Sequence, residues 1–357
     1  MQLVGITQEQ HPERCRLFAQ WKEMEWPILW DPFNLTGSQA VPNFTAIDEF
    51  GVVRIQRPDP AAFHDEFLTA EFSPVEAERP VIEVSGDLRD LMSREPDKLG
   101  PALAKLEARA LEAPQSGALQ FQLGVGYRMR FDSERAEPGD FQAALDAWGR
   151  ALEIDPNQYI WRRRIQQFGP RLDKPYPFYG WIAEAREAIR ARGAEPQELV
   201  AGLTGSELAS PGREAPRAED PVQPDAKGRI RRDEGEFALV DSAVALDTQG
   251  REGVARVHLA FRPNHLNKAH WNNEAGPMRV WLGEAELPPG VSVDRRLLVI
   301  SGPAEAVSSE RREVDFEVQL SGARPGASLT GYALFYACED VDGICVYRRR
   351  DFEIALP

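Results

Sequence analysis

The spacing of apolar residues changes partway along the chain, and this change most constrains the fold. Residues 98–195 repeat apolar side chains at helical spacing, as in DKLGPALAKLEARALEA. From residue 236 onward, short apolar segments are separated by Gly and Pro, a pattern typical of strands and turns. Residues 196–235 are rich in Pro, Ala, Arg and acidic residues and show no apolar period. The pattern predicts a helical region and a β region joined by a linker.

The first 70 residues combine both kinds of pattern and predict a β-α-β-β-α unit. The strands are expected in QLVGIT and, around an EFG turn, in NFTAID and VVRIQ. An amphipathic helix is expected from His11 to Met24, and a second helix over residues 60–68. Residues 71–97 lack a clear period and predict a connector. The expected fold class is a multidomain chain with α/β, α and β parts.

Length and charge limit the functions that the chain can have. With 357 residues it can form two or three domains, and its net charge of -15 argues against a nucleic-acid partner. No apolar run approaches the roughly 20 residues of a membrane span, so none is predicted. The chain begins in a strand pattern without a signal peptide, which suggests a start inside a longer protein. The compartment therefore stays open: extracytoplasmic if the true N-terminus carries a signal peptide, otherwise cytoplasmic.

Residues 1–70 resemble the C-terminal half of a thioredoxin-like (redoxin) domain. The resemblance rests on LVGIT and on PILWDPFNLTGSQAVPNFTAIDEFGVVR. It implies a partial thioredoxin fold with a cis-proline at Pro42. The family's Cys-x-x-Cys precedes the segment that LVGIT matches, and nothing here corresponds to it. Cys15 lies in the following helix and matches no catalytic position, so we interpret it as a small buried or partly exposed free thiol.

Two segments in the helical region resemble a tetratricopeptide repeat (TPR). They are LQFQLGVGYRM and GDFQAALDAWGRALEIDPN. The matching positions are Leu123, Gly124, Tyr127, Ala144, Trp148, Ala151 and Pro156. In this pattern, small residues let two helices approach closely and aromatic residues fill the space beside them. The resemblance implies a TPR-like helical module over 98–195 that could bind a peptide or protein.

The C-terminal region contains seven or eight short strand patterns and predicts an antiparallel sandwich over 236–357. It resembles the immunoglobulin-like β-sandwich of bacterial thiol:disulfide interchange reductases (DsbD-type). The resemblance rests on HWNNEAGPMRVWL and YALFYACEDVDGICVYRRRDFEI. It implies that Cys338 and Cys345, bridging adjacent strands, exchange disulfides with a thioredoxin-like partner protein.

The residues themselves leave three interpretations of the cysteine pair open: an exchange disulfide, a structural disulfide, and unpaired or metal-linked thiols. Closing so short a loop removes little entropy from the unfolded chain, which weakens the structural interpretation. The acidic residues Glu339, Asp340 and Asp342 disfavour a thiolate, and no activating base is evident. The pair is therefore expected to accept electrons rather than to initiate exchange.

Other residues are expected to support the structure rather than to react. Tyr336 and Tyr347 flank the cysteines, and Trp271 is expected to pack the sandwich while Asn272 and Asn273 bond turn backbone. A third hypothesis is soft-metal binding by His265, His270 and Met278. Their spacing matches no zinc pattern, so loop histidines in water are the preferred interpretation. Neither a metal nor a cofactor is predicted.

The leading functional hypothesis is a thiol–disulfide exchange protein that acts through Cys338 and Cys345. The alternative is a non-enzymatic scaffold, in which the helical module binds a partner and the disulfide is only structural. Whether the chain is an enzyme depends on which of these two is correct.

Overall fold

The chain divides into two compact units in a computed structural model that describes residues 1–39, 41–75, 84–169, 178–203, 207, 221–246, 253–283, 286–339 and 345–357. The first unit consists of Met1–Arg135, Ala147–Arg163 and Ile182–Ala201. The second consists of Ala136–Asp146, Arg164–Trp181 and Gly202–Pro357. The domain boundaries proposed from the sequence stay predictions. The mixture of helices with antiparallel sheets is confirmed.

The described residues among the first 166 contain four short strands and six α-helices, one of which, Gly86–Ser93, lies in the stretch 71–97 that was predicted as a connector. Their bounds are β1 Gly5–Thr7, α1 Pro12–Trp21, β2 Ile28–Trp30, β3 Thr45–Ile47, β4 Val53–Gln56, α2 Gly86–Ser93, α3 Pro96–Glu112, α4 Gly117–Phe131, α5 Asp140–Ile154 and α6 Tyr159–Gln166. The helix predicted over residues 60–68 is instead a π-helical turn, His64–Leu68. Helix α7, Ile182–Ala191, is the last of the α-helices with bounds given for the described residues.

The predicted strands of the N-terminal segment form two small sheets. Strand β1 pairs with β2 in parallel, and β3 pairs with β4 as an antiparallel hairpin. The hairpin turn is held by Asp48, whose Oδ1 accepts hydrogen bonds from the backbone N–H groups of Phe50 and Val52. The Val41–Pro42 peptide bond is cis, as the resemblance implied for Pro42.

Helices α4 and α5 show the close packing that the small residues predicted. The Trp148 ring lies against Gly124, where an added Cβ would come within 2.4 Å of the indole. Trp148 is fully buried, and its Nε1 donates a hydrogen bond to the Phe121 carbonyl at 3.2 Å. Glycine is therefore required at position 124 by this contact. Whether the hairpin is a tetratricopeptide repeat stays a prediction.

A buried polar group joins α1 to α4 within the first unit. His11 Nε2 lies 2.7 Å from Asp132 Oδ2, which also accepts a hydrogen bond from Arg128 Nε at 2.9 Å. Burial, together with the nearby Arg14 charge, lowers the pKa of His11 below its usual value. The imidazole is therefore held in its neutral form more firmly than a histidine in water.

The second unit contains two antiparallel sheets around one core. The strands are β5 Ala238–Leu246, β6 Val254–Pro263, β7 Ala269–Asn272, β8 Met278–Leu282, β9 Ser292–Val293, β10 Leu297–Ile300, β11 Val307–Ser308, β12 Arg312–Gln319, β13 Ser328–Glu339 and β14 Cys345–Ala355. One sheet has the order β10-β8-β13-β7-β11, with β14 also paired to β13, and the other has the order β5-β6-β12-β9. Buried residues of both sheets form a single apolar cluster, so the antiparallel β region predicted from the sequence is confirmed.

Alternation along β13 decides which side chains face that core. Phe335 and Ala337 belong to the shared core, whereas Leu334 packs on the opposite face with Tyr332 and Trp281. We call this opposite side of the β13 sheet the outer face. Because the period is two, Tyr336 and Cys338 also lie on the outer face.

Part of the predicted linker differs from expectation, because residues 221–235 contact the β13–β14 hairpin. Ile230 packs against the apolar cluster of the outer face. The buried Asp225 carboxylate accepts a hydrogen bond from Arg349 Nη1 at 3.1 Å, and the Asp233 backbone N–H donates to the Arg349 carbonyl. Ile230, Asp225 and Asp233 thus contact the folded β region, which the composition of the linker did not indicate. Residues 204–206 and 208–220 of the predicted linker lie outside the described residues.

Two glycines in the paired helices α4 and α5 give opposite expectations for alanine substitution. Gly124→Ala should lower the free energy of unfolding by about 1–3 kcal/mol, because the methyl group collides with the Trp148 ring. Gly149→Ala should raise it by about 0.5–1 kcal/mol, because Gly149 lies inside α5 with no atom within 4 Å of the added Cβ. Chemical denaturation of both variants measures the difference; destabilisation by both would contradict this packing.

Candidate functional site

The disulfide closes the last pair of a long strand ladder. Strands β13 and β14 pair from Ser328↔Ala355 to Cys338↔Cys345, over eleven residue pairs. The two sulfur atoms are 1.96 Å apart and the two Cα atoms 3.9 Å apart. Residues directly opposite each other in antiparallel strands bring their side chains onto one face. The register of β13 and β14 therefore places the two cysteines opposite each other.

The two cysteines differ in their access to solvent. Cys338 is 3% exposed, whereas Cys345 is an exposed residue at the start of β14. A reagent that approaches from solvent therefore meets Cys345 first. This asymmetry could not be derived from the sequence, which left the attacked sulfur undecided.

A histidine lies beside the buried cysteine on its other side. Strand β7 pairs with β13 so that His270 is directly opposite Cys338. Opposite residues place their Cβ atoms about 4.5–5.5 Å apart on the same face. His270, Cys338 and Cys345 therefore form a row across three strands. The expectation of a loop histidine in water is wrong for His270, whose imidazole belongs to a strand residue directly opposite Cys338.

Two tyrosines form the adjacent row of the same face. Tyr336 and Tyr347 are the neighbouring cross-strand pair, and their rings stack with centroids 4.3 Å apart. Burial raises the pKa of Tyr347, and the neighbouring Tyr336 adds to the shift. The predicted flanking role of these tyrosines is thus realised as an aromatic surface beside the disulfide.

The 221–235 segment supports β14 on the outer face. The Arg349 guanidinium lies 4.0 Å from the centre of the Tyr332 ring and contacts both Asp225 and Asp351. The backbone N–H of Arg349 donates to the Arg231 carbonyl at 3.0 Å. This pairing covers β14 four residues after Cys345 and leaves the disulfide row at the end of the ladder.

Trp271 lies on the opposite face of the sheet from this row. Trp271 is fully buried in the shared core, where it packs edge-on against Phe335, and its Nε1 donates to the Glu310 carbonyl at 2.9 Å. Trp271 is thus part of the core between the two sheets. Pro42 belongs to the other unit, so its place in a redox site stays a prediction. Asn272 and Asn273 both bond nearby backbone, as expected.

The three metal-ligand candidates are not brought together. His270 lies on the outer face, whereas Met278 is fully buried in the shared core on the opposite side of the sheet. His265 is exposed in a short 3-10 turn. In the part of the chain that the structure describes, no group of three or more His, Cys, Asp or Glu residues could hold a metal ion. The geometry does not support the metal hypothesis.

Of the acidic residues proposed to act on the cysteines, Glu339 is exposed at the end of β13. Asp340 and Asp342 lie outside the described residues, so their effect on the sulfurs stays a prediction. Cys15 is a free, partly buried thiol in α1, and burial raises its pKa.

Comparisons with known proteins do not assign a family. No family model matches the chain, and no curated protein matches it in sequence. Among solved structures, the chain is similar to the yeast GGA1 GAE domain, at 12% identity and a TM-score of 0.20, over 34% of this chain and 93% of that one. The GAE domain of GGA2p from Saccharomyces cerevisiae gives 12% identity and a TM-score of 0.18, over 34% and 91%. At these scores the likeness carries no argument about fold or function.

Across the described ranges, none of the helices combines the length and the apolar character needed to cross a bilayer.

Loss of the disulfide should leave the fold intact. Serine at both positions should lower the free energy of unfolding by about 2–2.5 kcal/mol at most, because the cysteines are only seven positions apart and ten further residue pairs hold the strands. Denaturant titrations of the variant and of the reduced wild-type chain provide the measurement. The reduced chain serves as the control for placing a hydroxyl at the buried position 338. Global unfolding of both samples would show that the disulfide is structural.

Proposed function

We propose that the chain is a thiol–disulfide exchange protein whose Cys338–Cys345 disulfide accepts or relays electrons. One observation carries this proposal: an exposed half-cystine is bonded to a buried one, which in turn lies beside a histidine. Because a long strand ladder already holds β13 and β14 together, the disulfide adds little to the stability of the fold. A dispensable, accessible disulfide is better suited to exchange than to stabilisation.

In the first step, a thiolate of a thioredoxin-like dithiol partner attacks Cys345 Sγ. A bond forms between the partner sulfur and Cys345, the Cys338–Cys345 bond breaks, and the electron pair goes to Cys338 Sγ. The partner's second thiolate then attacks the partner sulfur that is bonded to Cys345. The bond between that sulfur and Cys345 Sγ breaks, and Cys345 leaves as a thiolate. Two protons complete the exchange, so that the partner becomes a disulfide and this chain a dithiol.

His270 and the tyrosine pair have distinct roles in this scheme. The imidazole next to Cys338 supplies a proton to the departing sulfur, which otherwise forms an anion in a buried position. The stacked Tyr336 and Tyr347 rings provide an apolar surface on which the partner's active-site segment can dock. The acceptor role expected from the acidic loop is compatible with this order of attack.

The same proposal includes the finer fold assignments. Residues 1–70 would be a partial thioredoxin fold, residues 98–195 a TPR-like module that binds a peptide or protein, and residues 236–357 an immunoglobulin-like sandwich of the DsbD type. The packing of Gly124 against Trp148 and the cis peptide at Pro42 are compatible with the first two assignments.

The competing function is a scaffold with a structural disulfide, which the burial of Cys338 favours. The reduction potential distinguishes the two functions. A potential below about -300 mV indicates a structural disulfide, and a more oxidising value indicates exchange. Incubation with a reduced thioredoxin should reduce the wild-type chain, whereas the double serine variant should oxidise no donor. Equal donor oxidation by both proteins would refute the exchange function.

The first adduct should form on Cys345. Brief treatment of the oxidised chain with limiting glutathione, followed by an acid quench and peptide mass mapping, should give at least about tenfold more adduct on Cys345 than on Cys338. The physical reason is that only the Cys345 residue is exposed to solvent. A predominant adduct on Cys338 would reverse the proposed order of attack.

Replacement of the neighbouring histidine should slow exchange. His270→Gln should reduce the rate of disulfide reduction by about tenfold or more, because the departing Cys338 sulfur loses its proton source. His265→Gln, in the same β region but on an exposed turn, is the matched control and should leave the rate unchanged. Stopped-flow measurements with excess dithiol provide both rates. Equal rates for the two variants would remove His270 from the mechanism while leaving the exchange function itself open to the donor-oxidation test.

A further inference from the structure

We propose that a cavity in the first unit binds a small amphipathic carboxylate, a molecule with an apolar body and one carboxylate group. The cavity has a volume of about 700 Å³. Ligand pockets for small molecules commonly measure about 300–1,000 Å³ and combine apolar walls with a few polar groups. This site is separate from the disulfide and does not depend on the exchange function.

Two segments of the first unit contribute regularly spaced residues to the cavity walls. Met24, Trp26, Ile28 and Trp30, at every second position of the chain from the end of α1 through β2, all line the cavity. On the opposite wall, helix α1 contributes Pro12, Cys15, Arg16 and Ala19, which share one helical face. The two faces would be expected to pack against each other, yet a cavity remains between them.

The walls suit an apolar ligand body. Trp26 is 39% exposed, and the Trp30 ring is fixed by a hydrogen bond from its Nε1 to the Glu9 carbonyl at 2.7 Å. Met24 and Met92 add flexible thioether side chains that adapt to different shapes. A ligand that fills this space removes apolar surface of the tryptophans and methionines from water.

The charges at the cavity favour an anion. Among the described residues, the charged side chains that line the cavity are Glu13, Arg16 and Arg94, two cations and one carboxylate. Glu13 is buried and paired with Arg94, whose Nη1 lies 2.5 Å from Glu13 Oε1. This pair neutralises the carboxylate, and Arg16 is exposed at the same cavity. In a chain with a net charge of -15, a net positive cavity is selective for negatively charged ligands.

The backbone at Arg94 supports a role for its side chain. Arg94 ends helix α2 in the left-handed conformation, with φ of 55°. Glycine is the usual residue at this position, because a Cβ is unfavourable there. The Arg94 guanidinium at this position pairs with Glu13, and Arg16 is the cation that would meet the ligand.

Cys15 provides a direct reporter of occupancy, because it lines the cavity and is the free cysteine when Cys338 and Cys345 are paired. The probes are octanoate, its uncharged analogue octanamide, and acetate, which has the charge without the apolar body. Octanoate should slow alkylation of Cys15 by iodoacetamide in the oxidised chain at pH 8.5 and should bind in calorimetry. Octanamide should bind about tenfold more weakly, and acetate at least about 100-fold more weakly.

Variants then test the two parts of the site, with calorimetry as the readout. Arg16→Gln should weaken octanoate binding about tenfold and leave octanamide binding unchanged. Trp26→Ala should weaken both ligands at least about fivefold. Arg190→Gln, an exposed arginine of α7 that does not line the cavity, is the matched control and should change neither. Thermal unfolding of each variant verifies that it is folded.

Three results would overturn the proposal. They are the absence of octanoate binding at millimolar concentration, equal binding of octanoate and octanamide, and binding that leaves Cys15 alkylation unchanged. The double serine variant at positions 338 and 345 should bind octanoate as the wild type does. Disulfide exchange by the wild type and this variant tests the proposed function, and octanoate binding tests the cavity. One proposal can therefore fail while the other holds.

Discussion

The register of β13 with β14 and β7 determines which residues surround Cys338. Successive side chains of a strand point to opposite faces, so a shift by one residue would send Cys338 into the core and Phe335 out of it. The observed register instead puts Cys345 and His270 on either side of Cys338. The core residues on the other face hold this register, since they lose their packing if it slips. The site is thus a consequence of apolar burial on the opposite side of the same sheet.

The outer face of the β13 sheet also carries apolar side chains, and these must be covered from water. Residues 221–235 provide it: Ile230 covers part of the outer-face cluster, and Asp225 meets the buried Arg349. Removing one member of such a buried pair leaves an uncompensated charge, so the pair specifies position more than it adds stability. By holding β14 through Arg349, this segment keeps Cys345 at the end of the ladder and on the outer face.

Local patterns predicted the elements well, and long-range pairing less well. Short apolar segments separated by Gly and Pro predicted the strands of the second unit, and small residues next to an aromatic predicted the contact of Gly124 with Trp148. In contrast, the contact of Ile230 with the outer face and the position of His270 depend on which strands become neighbours, and periodicity carries no such information. One signal was available: Trp271 must point inward, so the preceding residue must point outward, to the face of the cysteines.

The balance between an exchange disulfide and a structural one turns on what the bond adds to the fold. Seven positions of separation make the entropic gain small, and the ladder that aligns the cysteines would persist without them. Burial of Cys338 slows attack on that sulfur but also makes its thiolate costly, which would protect the disulfide from reduction. A neighbouring imidazole offsets this cost only if it delivers a proton as the bond breaks. If the proposed exchange function is correct, the reactivity of the pair would depend on His270 as well as on the exposure of Cys345, and the rate of the His270→Gln variant tests this.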